Sequence, residues 1–470
     1  MSTVQRAHYS PPWANTSIIG VAGSSGSGKT TLSLAIISAL NLPWVVILSM
    51  VGVAHSPIPR PPAYPFACQD SFYKPLTPEQ SARAFRNEYD FDAPEAIDFD
   101  LLVDVLRDIK QGKKVEVPVY SFAKHNREEK TTTIYSPHVL ILEGIFGLHD
   151  QRVLDLLDLK VEDVSTLSPL ITAVLTSCSL VVRDVKSRGR DIEGCIKQWF
   201  LYVKPNFHRY VAPQREVADL IVPRGVENTV AISMVTDRIH KILTLKSRMH
   251  QAELKRLGKL AEEAPLSSNV IVLPENRQNR AIHTLLINPA VDRENFIFYF
   301  DRICALLIEE SLVCMHFDVV DVTTPMGTIY RGFKPSGETS AVTILRGGSA
   351  LERAFRRVLP DSRNGRILIQ TNHRTGEPEL HYRALPKDIA THERVLLLDS
   401  QMSSGGAALM AVKILVDHGV PEKNIVFVTY MAGRMGVGRL THVFPEIRVV
   451  VGRLVDDFEE RWVEKRYFGH

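Results

Sequence analysis

A glycine-rich loop between an apolar run and a helical pattern is the feature that most constrains the fold. The apolar run is SIIGVAG at residues 17–23, and the helical pattern covers residues 30–41. The loop has the spacing GxxxxGK followed by Ser or Thr, and consists of Gly23, Ser24, Ser25, Gly26, Ser27, Gly28, Lys29 and Thr30. In such a loop backbone N–H groups turn inward on phosphate oxygens, Lys29 supplies charge to the outer phosphates, and Thr30 supplies a hydroxyl for Mg²⁺. The pattern predicts a nucleotide-phosphate site in an α/β fold.

The same alternation of strand and helix continues beyond this loop. The apolar runs WVVILSM, HVLILEGIF and ADLIVPR predict buried parallel strands. Residues 98–111 predict a helix whose apolar face contains Leu101, Leu102, Val105, Leu106 and Ile109. A further long helix is predicted from Thr229 to about Gly258. We therefore expect a doubly wound parallel sheet.

Composition limits the classes of protein to consider. With 470 residues, 45% of them hydrophobic and 23% charged, the chain is an ordinary globular protein of two domains, or three at most. A net charge of +3 argues against a nucleic-acid or anionic-membrane surface. The five cysteines have no CxxC spacing, and no apolar run approaches the ~18 residues of a membrane span. We expect a cytoplasmic protein, with the nucleus as the alternative location.

We divide the chain into four segments. A flexible arm is expected over residues 1–16 and a first α/β domain over 17–250. A polar connector, LGKLAEEAPLSSN, places a linker over 251–268, and a second α/β domain follows over 269–470.

The second domain contains a candidate phosphate site of its own. The predicted strand RVLLLD ends in an acid and is followed by a small, hydroxyl-rich loop and a helix. The candidate residues are Asp399, Ser403, Ser404, Gly405 and Gly406. Such a loop binds a 5′-phosphate through backbone N–H groups while the acid meets ribose hydroxyls, but on spacing alone a plain strand–helix turn is equally compatible.

Two further charged features of the first domain have both a structural and a catalytic interpretation. Glu143 ends HVLILEG, where P-loop proteins often keep an acid near the metal, although an acid at a strand end is commonly structural. Arg183, Lys186 and Arg190 share one helical face. That face is either solvated or a lid that neutralises charge on a transferred phosphoryl group.

Taken in order, the motifs of the first domain resemble those of one family. They are GSSGSGKT, DSFYK, YDFDAPEA, PVYSFAKHNR, ILEGIF, RDVKSRGRDIEGCIKQW, VKPNF and ADLIVPRG. Over residues 17–245 the sequence resembles the uridine–cytidine kinases. The resemblance implies transfer of the γ-phosphoryl group of ATP or GTP, with Mg²⁺ held near Thr30 and Glu143, to a nucleoside 5′-hydroxyl in pyrimidine salvage.

The resemblance also implies roles for individual residues. Asp70 matches the base that accepts the proton of the 5′-hydroxyl, Asp92 the acid that receives both ribose hydroxyls, and Gln198 a polar contact near the ribose. Tyr120 and His125 match positions that read the pyrimidine edge, and Tyr73 one that lines the nucleoside pocket. The matching lid positions are Arg183, Arg188 and Arg190. The expected partners are small-molecule nucleosides and further copies of this chain in a homo-oligomer, with no nucleic acid and no membrane.

Residues 269–470 resemble the uracil phosphoribosyltransferases, with departures. The matching features are VTTPMGTIYRGF, ILRGGSALERAF and the loop from Asp399 to Ala407. Ser400 replaces the usual proline after the acid, the stretch TNHRTGEPELHY lacks the arginine expected at its start, and no Pro-Gly-rich uracil-reading segment precedes the C-terminal FG. We therefore expect a kinase whose second domain does not consume uracil. The alternatives are a bifunctional enzyme, a catalytically weakened regulatory protein and a phosphoribulokinase-type sugar kinase.

Two stretches depart from the kinase pattern. Residues 51–69, VGVAHSPIPRPPAYPFACQ, are proline-rich, without helical or strand periodicity, and separate WVVILSM from DSFY. Residues 161–180, VEDVSTLSPLITAVLTSCSL, form a Ser/Thr/Leu run where the family has a strand, an acidic turn and arginines. We interpret them as a retained intron and a shifted reading frame in the predicted gene structure. Lineage-specific loops are the alternative.

Overall fold

The computed structural model of the chain divides into two compact units. It describes residues 7–40, 42, 45–50, 66–67, 72–86, 88–121, 126–135, 137–164, 192–263, 265–371, 378–456 and 461–469. One unit consists of Pro12–Lys246, and the other of Met1–Pro11 together with Ser247–His470. Among the described helices, none combines the length and apolar character needed to cross a membrane.

The described strands of the first unit are β1 (Ser17–Gly23), β2 (Val45–Ser49), β3 (Phe66–Ala67), β4 (Val115–Ser121), β5 (Asn126–Ile134), β6 (Val139–Glu143), β7 (Leu159–Val164) and β8 (Leu220–Pro223). Six of them form a parallel sheet of strand order β3-β2-β6-β1-β7-β8, and β4 and β5 form a separate antiparallel hairpin. Its helices are Lys29–Leu40, Pro78–Phe85, Phe99–Lys110, Gln151–Leu154, Ile192–Gln198 and Lys204–Asn206. π-helical turns cover Trp199–Val203 and Phe207–Val211, and 3₁₀ turns cover Pro94–Ala96, Ala212–Val217 and Gly225–Glu227.

The predicted strands and helices of this unit are confirmed, except that β8, predicted to be buried, ends the strand order and buries only Val222 of its four residues. Every residue of β1, β2 and β6 is buried, as expected for central strands of a sheet covered on both faces. The helix Phe99–Lys110 begins where Asp98 accepts a hydrogen bond from the backbone N–H of Leu101, and it buries its predicted apolar face. Because β1 lies between β6 and β7, residues at the carboxyl ends of these three strands meet at one edge of the sheet.

The second unit is also α/β. Its described strands are β9 (Val270–Val272), β10 (Phe317–Thr323), β11 (Ile329–Pro335), β12 (Thr339–Leu345), β13 (Arg363–Thr371), β14 (Pro378–Ala384), β15 (Arg394–Met402), β16 (Ile425–Gly433) and β17 (Arg448–Val455). Seven of them form a sheet of order β14-β13-β12-β15-β16-β17-β9, in which β14 is antiparallel to β13 and the other pairs are parallel, and β10 and β11 form a separate hairpin. Its helices are Arg277–Ile287, Arg293–Leu312, Ser349–Val358, Gly406–Asp417, Arg434–Val443 and Val463–Phe468, with 3₁₀ turns at Ile389–Thr391 and Glu422–Asn424.

The N-terminal arm expected over residues 1–16 is packed at its C-terminal end. The indole of Trp13 is fully buried, with its ring 5.9 Å from that of Tyr135. The Thr16 hydroxyl is also buried and lies 2.8 Å from the backbone carbonyl oxygen of Pro137. The prediction of a loose arm is therefore wrong for these residues, because the burial of one large aromatic ring outweighs their polar composition.

The linker expected over residues 251–268 is mostly helical. One helix runs from Thr229 to Glu263, beyond the predicted end near Gly258. A Cβ atom at Gly258 would lie 2.4 Å from Nη2 of Arg439, so a glycine here lets the helix backbone approach that guanidinium. The prediction failed because the approach of Arg439, distant in sequence, gives this glycine a packing role that local composition does not show.

Both stretches that depart from the kinase pattern contribute to the sheet where they are described. Phe66–Ala67 forms β3, which pairs with Ile47 and Leu48 of β2, so the expectation that residues 51–69 hold no strand is wrong there. Val161–Val164 belongs to β7, between β1 and β8, so these four residues form a strand, and the interpretation of the stretch as a shifted frame stays a prediction. The rest of both stretches lies outside the described residues.

Candidate functional site

The phosphate-binding loop has a backbone that requires its glycines. Gly23 ends β1 at φ +151°, and a Cβ atom there would lie 2.5 Å from the carbonyl oxygen of Asp163. Gly26 and Gly28 have φ values of +81° and +105°, which L side chains rarely adopt. The loop therefore turns tightly from β1 into the helix Lys29–Leu40, and its backbone is free to face a phosphate.

Lys29 and Thr30, the first residues of that helix, connect the loop to its surroundings. Lys29 Nζ donates a hydrogen bond to the carbonyl oxygen of Ser24 across the loop at 2.6 Å. Thr30 Oγ1 donates to Oε1 of Glu143 at 2.9 Å. A hydroxyl and a carboxylate oxygen side by side are the hard oxygen donors that Mg²⁺ prefers, so these residues fit the expected metal.

Glu143 is held at the carboxyl end of β6 in a dry environment. It is only 2% exposed, and burial raises the pKa of its carboxyl group. The Thr30 hydroxyl and the Lys29 charge act in the opposite direction. A divalent cation beside this carboxyl would favour its ionised form.

The structure adds Asp163 to the phosphate-binding end of the site. This residue follows Glu162 near the end of β7 and is 2% exposed. Its Oδ2 accepts a hydrogen bond from Oγ of Ser27 at 3.0 Å. Burial raises its pKa to about 6, against the opposing effects of the Lys29 charge and the Ser27 hydrogen bond. The sequence analysis missed Asp163 because it lies in the stretch interpreted as a shifted frame, although its place after the apolar positions of LKVED could have revealed it.

A cleft joins the phosphate-binding loop to Asp92. Its lining consists of Ser24, Ser25, Asp92, Ile145, Trp199, Val203, Asn206, Phe207 and Val211. The backbone N–H of Asp92 donates to Oδ1 of Asp90 at 3.0 Å, and Nδ2 of Asn206 donates to both Asp90 carboxylate oxygens at 3.0 and 2.8 Å. These contacts position the Asp92 loop against the helical segment that closes the cleft.

Tyr73 and Tyr120, the predicted pocket aromatics, pack together beside this loop. Their ring centroids lie 5.3 Å apart, and the Tyr73 hydroxyl donates to the carbonyl oxygen of Phe91 at 3.3 Å. Arg127, which the sequence analysis did not select, donates from Nε to the Tyr73 carbonyl oxygen at 3.0 Å and pairs with Asp98 at 2.9 Å. Arg127 is the last residue of the motif PVYSFAKHNR, and its charge is the signal that could have identified it as a residue that positions Tyr73.

Comparisons with known proteins agree with this geometry. Residues 18–231 match the Phosphoribulokinase / Uridine kinase family, and residues 272–463 match Uracil phosphoribosyltransferase. Uridine-cytidine kinase-like 1 of Mus musculus is 40% identical over 466 residues, covering 96% of this chain and 79% of the mouse protein. The chain belongs to the uridine kinase family. Uridine kinases of Saccharomyces cerevisiae and Schizosaccharomyces pombe are 36% and 39% identical, each covering 98% of this chain and 89% and 97% of the yeast proteins.

Membership confirms the predicted fold class, a P-loop kinase domain with a parallel sheet followed by a phosphoribosyltransferase-like α/β domain. Of the site residues expected for a uridine kinase, five lie outside the described residues: Asp70, His125, Arg183, Arg188 and Arg190. Their roles stay predictions. Gln198 ends the helix Ile192–Gln198 directly before Trp199 of the cleft.

The candidate site of the phosphoribosyltransferase-like domain differs from the sequence prediction. β15 continues three residues beyond Asp399 and ends at Met402, so the acid does not end the strand as predicted. Ser400 stands where proline is usual, and its backbone N–H, which a proline would lack, hydrogen-bonds the Asp399 carboxylate and acts to lower the pKa of that group. Asp399 is buried and accepts a hydrogen bond at 2.5 Å from Nη2 of Arg461, whose Nε lies 3.1 Å from Glu464. Burial raises the pKa of Asp399 to about 6, with the Arg461 charge opposing it.

The loop after β15 is compact and leads directly into a helix. Gly405 has φ +79° and begins the helix Gly406–Asp417, and a Cβ atom at this glycine would lie 2.8 Å from the carbonyl oxygen of Gly436. Nη1 of Arg439 donates to the carbonyl oxygen of Ser404 at 2.8 Å. The structure thus brings the predicted cup residues Ser403, Ser404, Gly405 and Gly406 to a helix N-terminus, while Asp399 is engaged by Arg461.

Proposed function

We propose that the protein is a uridine–cytidine kinase that transfers the γ-phosphoryl group of Mg²⁺-bound ATP or GTP to the 5′-hydroxyl of uridine or cytidine, forming UMP or CMP. The observation that carries the proposal is the cleft that Ser24 and Ser25 of the phosphate-binding loop line together with Asp92. A phosphate donor at one side and a ribose at the other are then close enough for direct transfer.

At the phosphate end, the loop backbone and the N-terminus of the helix Lys29–Leu40 bind the donor phosphates. Lys29 leaves its contact with Ser24 and moves onto the outer phosphates, and Thr30 and Glu143 hold the metal. The Mg²⁺ ion supplies charge neutralisation when bound. Asp163 holds Ser27, and so keeps the loop in shape when no nucleotide is present.

At the nucleoside end, Asp92 accepts hydrogen bonds from both ribose hydroxyls, and Tyr73 and Tyr120 form the wall of the pocket. Asp70 removes the proton of the 5′-hydroxyl, and the lid arginines neutralise the transferred group, as the family resemblance implies. Asp90 and Asn206 orient Asp92 for this task.

The salt bridge between Asp399 and Arg461 favours a kinase over a bifunctional enzyme. A phosphoribosyltransferase needs the carboxylate of its loop for the ribose of phosphoribosyl diphosphate. Here that carboxylate already has a cationic partner. The intact loop from Gly23 to Thr30 in turn argues against a regulatory protein without catalysis. We infer that the second domain binds a phosphorylated ligand or serves assembly.

A cytoplasmic location and a homo-oligomer are part of the same proposal. Among the described cysteines, Cys304 and Cys314 are free and buried thiols, which supports a reducing compartment. Cell fractionation tests the location, and light scattering of the purified chain tests the assembly.

The deciding experiment is a kinase assay with ATP or GTP over uridine, cytidine, 2′-deoxyuridine, adenosine and ribulose 5-phosphate. We expect UMP and CMP from the first two nucleosides, weak turnover of 2′-deoxyuridine because Asp92 loses one partner, and no turnover of the sugar phosphate. A Lys29→Ala protein is the blank. Phosphorylation of ribulose 5-phosphate in preference to uridine, or uridine turnover equal to that of the blank, would overturn the proposal.

A further inference from the structure

A buried histidine in the second unit faces two carboxylates without a hydrogen bond. The imidazole of His392 is 1% exposed. Within the part of the chain that the structure describes, neither of its ring nitrogens has a hydrogen-bond partner. A neutral imidazole carries one N–H donor and an imidazolium two, and a buried polar group that is left without a hydrogen-bond partner destabilises the fold. Something is therefore expected to satisfy His392.

The carboxylates lie at distances that suit a shared ion. Oε2 of Glu338 is 3.4 Å from Nε2 of His392, and Oδ1 of Asp388 is 3.6 Å from the same nitrogen. Both distances exceed the optimum of about 2.9 Å for an N–H···O hydrogen bond. Two ligands on one tetrahedral ion with bonds of about 2.0–2.1 Å are about 3.3–3.4 Å apart. We propose that Glu338, Asp388 and His392 bind a divalent transition-metal ion of the Zn²⁺ type.

The backbone holds the three ligands in place before any ion binds. The N–H of Glu393 donates to the carbonyl oxygen of Glu338 at 3.0 Å, which ties the loop before β12 to the start of β15. The N–H of Thr391 donates to the carbonyl oxygen of Asp388 at 2.9 Å, which closes the 3₁₀ turn between Asp388 and His392. The ligand set is thus preorganised, and a bound ion would connect two loops.

Arg363 is the competing cation at this cluster. Its Nη1 pairs with Oδ2 of Asp388, which leaves Oδ1 facing His392. Its Nη2 lies 3.6 Å from Oε2 of Glu338, longer than a hydrogen bond. Arg363 therefore orients the Asp388 carboxylate. It does not fill the space between Oδ1 of Asp388, Oε2 of Glu338 and Nε2 of His392, where the proposed ion would bind.

The ligand chemistry and the position of the site define the class of ion and its role. One imidazole nitrogen with two carboxylate oxygens favours Zn²⁺ or a related first-row ion over Mg²⁺ or Ca²⁺, which prefer oxygen donors alone. The cluster lies at the amino ends of β12 and β15, the sheet edge opposite the loop that follows Asp399. The ion would therefore lie at the sheet edge away from Asp399, with solvent completing its coordination.

Zn²⁺ titration of the full chain, stripped with a chelator and free of nucleotide, tests the proposal. We expect the wild-type chain to bind one equivalent of Zn²⁺ at this site. In the Glu338→Gln and His392→Gln proteins we expect the affinity for that equivalent to fall at least about tenfold, so that it is no longer bound at the same Zn²⁺ concentration. Glu338 is exposed, so its variant keeps the fold even if the histidine variant does not. His381 is the matched control, because its Nε2 lies 3.8 Å from Oε2 of Glu379 and, among the described residues, it belongs to no group of three or more metal-ligating side chains.

A Co²⁺-loaded sample then identifies the site by its visible spectrum. Tetrahedral bands that appear in the wild type and in His381→Gln but not in Glu338→Gln support the proposal. If the wild type binds no more Zn²⁺ than Glu338→Gln, or if His381→Gln loses the same equivalent, the proposal is wrong and the cluster is a charge network around Arg363.

Discussion

Replacing Asp163 by Asn should stabilise the nucleotide-free protein at neutral pH. Asp163 is 2% exposed, and burial raises its pKa to about 6 from the ordinary value of 3.8. A shift of one pKa unit corresponds to about 1.36 kcal/mol, so the ionised carboxylate lowers the free energy of unfolding by about 3 kcal/mol. Asparagine keeps an acceptor for the Ser27 hydroxyl but does not ionise, so most of this loss should be recovered.

The pH dependence follows from the direction of the shift. Below the unfolded pKa of 3.8 the Asp163 carboxyl is protonated in both the folded and the unfolded state, so its ionisation does not change the free energy of unfolding. As the pH rises from there to about 6, the folded state keeps a proton that the unfolded state has released, so stability falls. Above pH 6 the loss is constant. The gain of Asp163→Asn is therefore largest at pH 7.5 and about half as large at pH 5.

Urea unfolding with hydrogen exchange of peptides covering β1 and β7 measures this gain in the full chain. Asp104→Asn is the control, since the side chain of Asp104 is exposed. The expected gain of about 3 kcal/mol corresponds to roughly a hundredfold change in the opening equilibrium. A less stable Asp163→Asn protein at pH 7.5, or an equal gain at both pH values, would refute the reasoning.

Four further outcomes are expected. Lys29→Ala and Asp70→Asn should each abolish nucleoside phosphorylation while the melting curve stays unchanged, and a near-normal kcat for Asp70→Asn would disprove its role as base. Glu143→Gln should raise the Mg²⁺ concentration for half-maximal activity about tenfold, measured by Mg²⁺ titration, because the Thr30 contact survives but the charge is lost. Trp13→Ala should lower the unfolding free energy of the first unit by about 3–5 kcal/mol, measured by urea unfolding, and a loss below about 1 kcal/mol would show that the arm is loose. Uracil with phosphoribosyl diphosphate should give no UMP, because Arg461 occupies Asp399, and robust UMP formation would contradict this.

Much of the first unit could be predicted because its signals are local. The run SIIGVAG and the glycines after it identify a buried strand, a tight turn and a helix, and the structure has them at Ser17–Gly23 and Lys29–Leu40. Glu143 was expected at the end of its strand for the same reason, since it directly follows the apolar run VLIL. For Asp92 only the family resemblance implied a ribose contact; the structure adds that Asp92 lines one cleft with Ser24 and Ser25, and its role stays a prediction.

Sequence alone determined the central strands β1, β2 and β6, the helices Lys29–Leu40 and Phe99–Lys110, and the phosphate-binding loop, because each depends on residues within a few positions of one another. Only the tertiary structure decided which distant groups meet. Ser27 and Asp163 are 136 residues apart in the chain and hydrogen-bonded in the fold, and Asp399 and Arg461 pair across 62 residues. Such contacts follow from strand order and from the exclusion of water around buried charges, and neither can be read from local periodicity.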